Sequence, residues 1–183
     1  MSQRTRPVTT VMMAILAALA LGGCRAEPSP PPQPLTYTSA ENGFSLTFPG
    51  DWCSWEGGYG TALEIMPPGQ TDPNVFRDIV LVSIEVLPDP LTAEEYLGIK
   101  AAKGAKAMAD YAELERSTVT LNGRPAGRLV YSCTVNGESV HSIAYFLVNQ
   151  NRGYTLLTSA ALQRLPLRKA EFETIASSFT LPN

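Results

Sequence analysis

The sequence is short of the residues that most enzymatic chemistry needs. Its 183 residues include one histidine, His141. A single imidazole cannot build a histidine-based zinc site, and no thiols or carboxylates are spaced to replace the missing ligands. No metal or cofactor site is therefore expected. There is no G-x-S-x-G turn and no H-E-x-x-H, the patterns that place a serine nucleophile or two zinc-binding imidazoles. A triad built on His141 would have to choose its nucleophile from more than a dozen serines, with no spacing to favour one. Basic charge is scarce as well: 14 Lys and Arg stand against 17 Asp and Glu. Nucleic acids and anionic membrane surfaces select basic faces, so neither is an expected partner. Long apolar runs are also missing. The one candidate, Val11–Leu21, would be about 17 Å long as a helix, well short of the ~30 Å hydrocarbon core.

That run has a different meaning. Arg4 and Arg6 precede it, and Gly22, Gly23 and Cys24 follow. A basic start, a short apolar middle and small residues at the end describe a signal peptide. The ending Leu21-Gly22-Gly23-Cys24 also resembles the lipobox of bacterial lipoproteins. The resemblance implies that residues 1–23 are removed and that Cys24 becomes the lipid-bearing first residue. The domain would then be held to a membrane outside the cytoplasm, within the cell envelope. Two or more acyl chains hold stably where one does not. The plainer alternative is an ordinary signal peptide with a chance cysteine near the cut. Cleavage would remove both N-terminal arginines and no acid, leaving 12 basic against 17 acidic residues.

Two cysteines then remain, Cys53 and Cys133. Outside the cytoplasm a cysteine pair is usually a disulfide. A bridge over so long a loop would contribute on the order of 4 kcal/mol by the chain-entropy argument. The alternative is two unpaired buried thiols.

Residues 24–35 form a stalk. Proline at 28, 30, 31, 32 and 34 forces extended polyproline II backbone and forbids a helix. Ten such residues span about 30 Å. One globular domain, residues 36–183, follows. Phe44–Phe48 alternates apolar and polar, the mark of a half-buried strand. Ala62–Met66 and Ile79–Leu87 read as the second and third strands. Thr92 with Glu95 three residues on is a capping box. Leu97, Ala101, Gly104, Met108 and Tyr111 follow it at helical spacing. A meander comes next, with hairpin turns expected at Asn122-Gly123, Asn136-Gly137 and Asn151-Arg152-Gly153. Pro166 suits the first turn of a closing helix, whose apolar side would carry Phe172, Ile175, Ala176 and Phe179. Three strands, a helix, four strands and a helix make an α+β protein, with two helices covering one antiparallel sheet.

Four patterns together resemble the PsbP-like (Mog1p/PsbP) superfamily and its bacterial lipoproteins. They are Tyr37 through Trp52, with Gly43-Phe44-Ser45-Leu46-Thr47-Phe48-Pro49-Gly50-Asp51-Trp52 at its end, Val75-Phe76-Arg77-Asp78-Ile79, Leu121-Asn122-Gly123-Arg124-Pro125-Ala126, and Phe172 through Phe179. The resemblance implies an α/β/α sandwich whose central antiparallel sheet has about six to seven strands. It implies a non-catalytic role, and with the anchor, the stalk and the missing catalytic constellation it leads to the expectation of a lipid-anchored, non-enzymatic module that binds or helps assemble an envelope or membrane protein complex. In a photosynthetic host it would imply an extrinsic subunit of the photosystem II oxygen-evolving complex. A different class of reading is a small-molecule-binding lipoprotein. Its candidate rim is Trp55 and Tyr59, aromatics in a loop rich in glycine. Trp52, by contrast, is expected to plug the core.

Overall fold

The computed structural model describes residues 32–57, 61–72 and 75–182. Cys24, the apolar run before it, the stalk up to residue 31, and Tyr59 lie outside the described residues. The elements run in the order β1 (Leu35–Ser39), β2 (Phe44–Phe48), β3 (Cys53–Glu56), β4 (Leu63–Met66), β5 (Ile79–Val86), α1 (Ala93–Ala107), β6 (Ala109–Leu121), β7 (Arg124–Val135), β8 (Glu138–Asn149), β9 (Arg152–Ala161) and α2 (Leu165–Ser178). Seven strands form one sheet in the order β3-β4-β5-β9-β8-β7-β6, with every neighbouring pair antiparallel. β1 and β2 make a separate antiparallel pair, tied to the end of the chain by a bridge between Ser45 and Thr180.

The two helices take opposite faces of the large sheet. Successive residues of a strand point to opposite faces. Accordingly, Phe146 and Leu157 join the cluster under α1, whereas Leu147 and Leu156 join the cluster under α2. The α2 cluster is the larger. It stacks Phe44 on Phe179 and sets Phe172 edge-on to Trp52, with ring centroids 5.7 and 6.3 Å apart. Trp52 is a core residue, buried to 4% exposure.

Local signals account for much of this. In the capping box the Glu95 N–H donates to Thr92 Oγ1 at 3.2 Å, and the Thr92 N–H donates to Glu95 Oε2 at 2.8 Å. Asn122-Gly123 and Asn136-Gly137 both take positive φ at both positions, the backbone of a two-residue hairpin whose twist matches its strands. The third hairpin differs from expectation. Its turn is Gln150-Asn151, and Gly153 already lies in β9. That glycine serves packing instead: a Cβ on it would fall 2.5 Å from Cζ of Tyr96. Gly127 does the same for Leu97, at 2.6 Å. The two glycines let α1 settle onto the sheet. The stripe predicted for α1 also ran too far. The helix ends at Ala107, Met108 is its cap, and Tyr111 belongs to β6.

The expected disulfide between Cys53 and Cys133 is not formed: both are free thiols. Cys53 sits on the edge strand β3 and Cys133 on β7, with β4, β5, β9 and β8 between them. Five steps of ~4.8 Å put the strands about 24 Å apart, against the ~7 Å limit between Cα atoms for a bridge.

Candidate functional site

One face of the sheet is only partly roofed. α1 packs on β7, β8 and the start of β6. Leu81 on β5 faces Leu157 on β9, Leu157 faces Ala144 on β8, and Ala144 faces Leu129 on β7. Under α1 that row is sealed, with Ala144 and Leu129 each 2% exposed. Beyond it, Leu157 and Leu81 are only half-buried. A neighbouring row runs Ile79, Ser159, Ser142, Tyr131 across the same four strands.

These rows floor an open trough of about 510 Å³. Phe76 stands on one side, and Ala107, Met108 and Ala109, where α1 gives way to β6, stand on the other. Cys133 and Val140, paired across β7 and β8, complete the floor. The lining is hydrocarbon, thiol, amide and hydroxyl, with no carboxylate, amine, guanidinium or imidazole. Ser142 Oγ and Ser159 Oγ are hydrogen-bonded at 2.7 Å at the bottom. Tyr131 faces Ser142 across β7 and β8, and burial pushes its phenol above the usual range. Burial also pushes the Cys133 thiol up. Both groups therefore stay protonated at neutral pH, and Cys133 is a weak nucleophile because the thiolate is the reactive form.

A polar knot lies at the entry to β5. Asp78 is fully buried, and its carboxylate accepts from Arg164 Nε at 2.8 Å, Arg168 Nε at 3.1 Å and Gln70 Nε2 at 2.7 Å. The Asp78 N–H donates back to Gln70 Oε1 at 2.6 Å. Arg164 also donates to the Phe76 carbonyl, and the Phe76 N–H donates to Glu138 Oε1 at 2.9 Å. Arg168 lies over the Trp52 ring, 5.7 Å from its centroid. A buried carboxylate is tolerated where charge-assisted hydrogen bonds fill its lone pairs. The knot ties the β4–β5 loop to the start of α2 and holds Phe76 at the trough wall. In the sequence Asp78 stands out only within the family resemblance. The local signal for the knot is the pair Arg164 and Arg168, four apart and hence on one helix face.

The residues singled out from sequence fall elsewhere. Trp55 lies on β3, opposite Glu64, and is 48% exposed. Glu64 is on the trough face of the sheet, since it faces Leu81 on its other side. Trp55 therefore belongs to the same face as the trough but does not line it. His141 is on β8 and half-buried. Burial first, and the Arg128 charge second, hold its imidazole below the ordinary 6.5. Among the described residues no three His, Cys, Asp or Glu side chains are placed to share a metal ion, and no helix is long and apolar enough to cross a membrane.

The layers, α1 on one face of a seven-stranded antiparallel sheet and α2 with a small extra sheet on the other, define the PsbP/Mog1p-like α+β fold. The family model for PsbP matches residues 34–181, and the chain belongs to the PsbP family. The solution structure of cyanobacterial PsbP (CyanoP) from Synechocystis sp. PCC 6803 matches with a TM-score of 0.63 at 19% identity, covering 88% of this chain and 99% of that one. LpqN of Mycobacterium tuberculosis, described as involved in cell envelope biogenesis, also gives 0.63 at 19% identity, covering 82% and 91%. The Saccharomyces cerevisiae Ran-binding protein Mog1p gives 0.53 at 7% identity, covering 81% and 95%. At these identities the likeness is one of fold. No curated protein sequence matches the chain.

Proposed function

We propose that the protein is a lipid-anchored, non-enzymatic module outside the cytoplasm that binds or helps assemble an envelope or membrane protein complex. The observation that carries this reading is the join between anchor sequence and domain. A signal-like run ending in Cys24 leads into a proline stalk, and the end of that stalk is seated on the domain. Pro32 and Pro34 border a groove whose other lining residues include Phe48, Pro49 and Ile175, and a Cβ on Gly50 would collide with the carbonyl oxygen of Gln33. The related folds support the rest, since their descriptions name an envelope-biogenesis protein and a Ran-binding protein. Trp55, exposed on an edge strand, is the first candidate for the partner-facing surface, because exposed tryptophans are frequent binding hot spots.

The test is acylation and capture together. Labelled palmitate is expected on the intact protein and not on Cys24→Ala. Crosslinking in intact cells should recover a specific envelope protein with the former. A protein that carries no label and is released freely after export would refute the anchor. An acylated protein that crosslinks only to abundant bystanders would refute the assembly role.

A further inference from the structure

The trough beside α1 is a built cavity that the anchoring reading leaves unused. Its volume, about 510 Å³, lies inside the ~300–1,000 Å³ range of small-molecule sites. Its walls carry no charge, so an ionic ligand would be desolvated there with nothing to offset the cost. Thr134 and Asn136 stand among its lining residues, and its floor carries a buried hydroxyl row, Tyr131, Ser142 and Ser159, exposed 6%, 2% and 4%. Each hydroxyl brings one proton. The Ser142–Ser159 hydrogen bond spends one of the three, and the row lies at the floor of an open cavity, so a guest there can accept a proton from it. Met108, 38% exposed at the edge, is a flexible thioether that can adjust to an elongated guest.

We propose that the trough is a binding site for a neutral fatty-acyl ester, its hydrocarbon lying along Leu81, Leu157 and Val140 and its carbonyl accepting from the hydroxyl row. This site is independent of acylation at Cys24: the trough fills or stays empty whether or not the anchor is correct.

The experiment uses the full-length protein in amphipol and a decanoyl methyl ester bearing a chain-terminal diazirine. After irradiation the label should map to β5, β8 and β9 at the trough and be competed by unlabelled methyl decanoate. Decanoate, the charged acid, should compete at least ten-fold more weakly. Ala107→Trp, at an exposed position on the wall, should lower labelling at least ten-fold with its thermal unfolding unchanged. Ser159→Ala should weaken the ester several-fold while leaving a diazirine-bearing alkane of equal length unaffected. Label spread over the protein, label confined to the α2 face, equal competition by acid and ester, or full labelling of the folded Ala107→Trp variant would each overturn the proposal.

Discussion

Asp78 and Arg164, 86 positions apart, meet at 2.8 Å, with the carboxylate fully buried and the guanidinium still reaching water. The contact ties the segment before β5 to the start of α2, and Arg168 and Gln70 complete it. Breaking such a pair from one side is expensive because the other charge loses its partner. Asp78→Ala should destabilise the fold by about 3 kcal/mol, near the lower end of the usual range because both arginines keep some solvent. Asp78→Asn, which keeps the shape and some hydrogen bonds, should cost less. Chemical denaturation of the two variants checks the order. Limited proteolysis should find the new cut sites between β4 and β5.

The approach of α1 to the sheet makes a second prediction. Gly153→Ala places a methyl group where the Tyr96 ring now lies. Tyr96 is 1% exposed, packs edge-on against Phe146 with centroids 5.7 Å apart, and shares a hydrogen bond with Thr155 at 3.2 Å. It cannot swing aside freely, so overpacking should cost about 1–3 kcal/mol. In Tyr96→Ala the room exists already. Gly153→Ala should then be nearly neutral, and a double-mutant cycle of unfolding free energies should show the two changes to be strongly non-additive.

Periodicity and turn chemistry carried the sequence reading wherever one strand or helix decides its own shape. Asn122-Gly123 and Asn136-Gly137 specify hairpins by themselves, Thr92 with Glu95 starts α1, and Phe172, Ile175 and Ala176 mark the side of α2 that is buried. What was illegible depends on partners distant in sequence. β3 is exposed at all four residues and so shows no alternation. β1 is a strand only because β2 lies beside it. The reading of Gly153 as a turn residue was reasonable in isolation, since nothing local shows that Tyr96 will press on it. The trough is a gap, left by a helix that lies mainly over β7, β8 and the start of β6, and no residue of its floor is unusual in its own strand.

The two thiols give a third prediction. Cys53 is exposed and Cys133 is 6% exposed with its thiol pushed up by burial. Maleimide should modify Cys53 readily in the native protein and Cys133 only after unfolding. Non-reducing peptide mapping should yield no peptide joining residues 53 and 133. Cys53→Ser should change stability by less than about 0.5 kcal/mol, as for an ordinary surface position. A loss of several kcal/mol, or a recovered crosslinked peptide, would restore the bridge that the strand order forbids.

His141 supplies the pH dependence. It is the chain's only histidine, and in the fold its imidazole is held below the ordinary 6.5, first by burial and then by Arg128. The unfolded chain therefore binds a proton at a higher pH than the native one does. Stability rises with pH wherever the unfolded state holds more protons. As pH falls through 6.5 toward the lower native value, the unfolded state gains a proton that the fold resists, and stability is lost over that window. The carboxylates held below their ordinary 4.5, Glu85, Glu95 and Glu115, contribute in the same direction but only at more acidic pH. Between pH 7.5 and 5.5 the unfolding midpoint should consequently drop in the parent and stay nearly level in His141→Gln. If both proteins fall in parallel, the slope belongs to other groups and the imidazole is not held neutral.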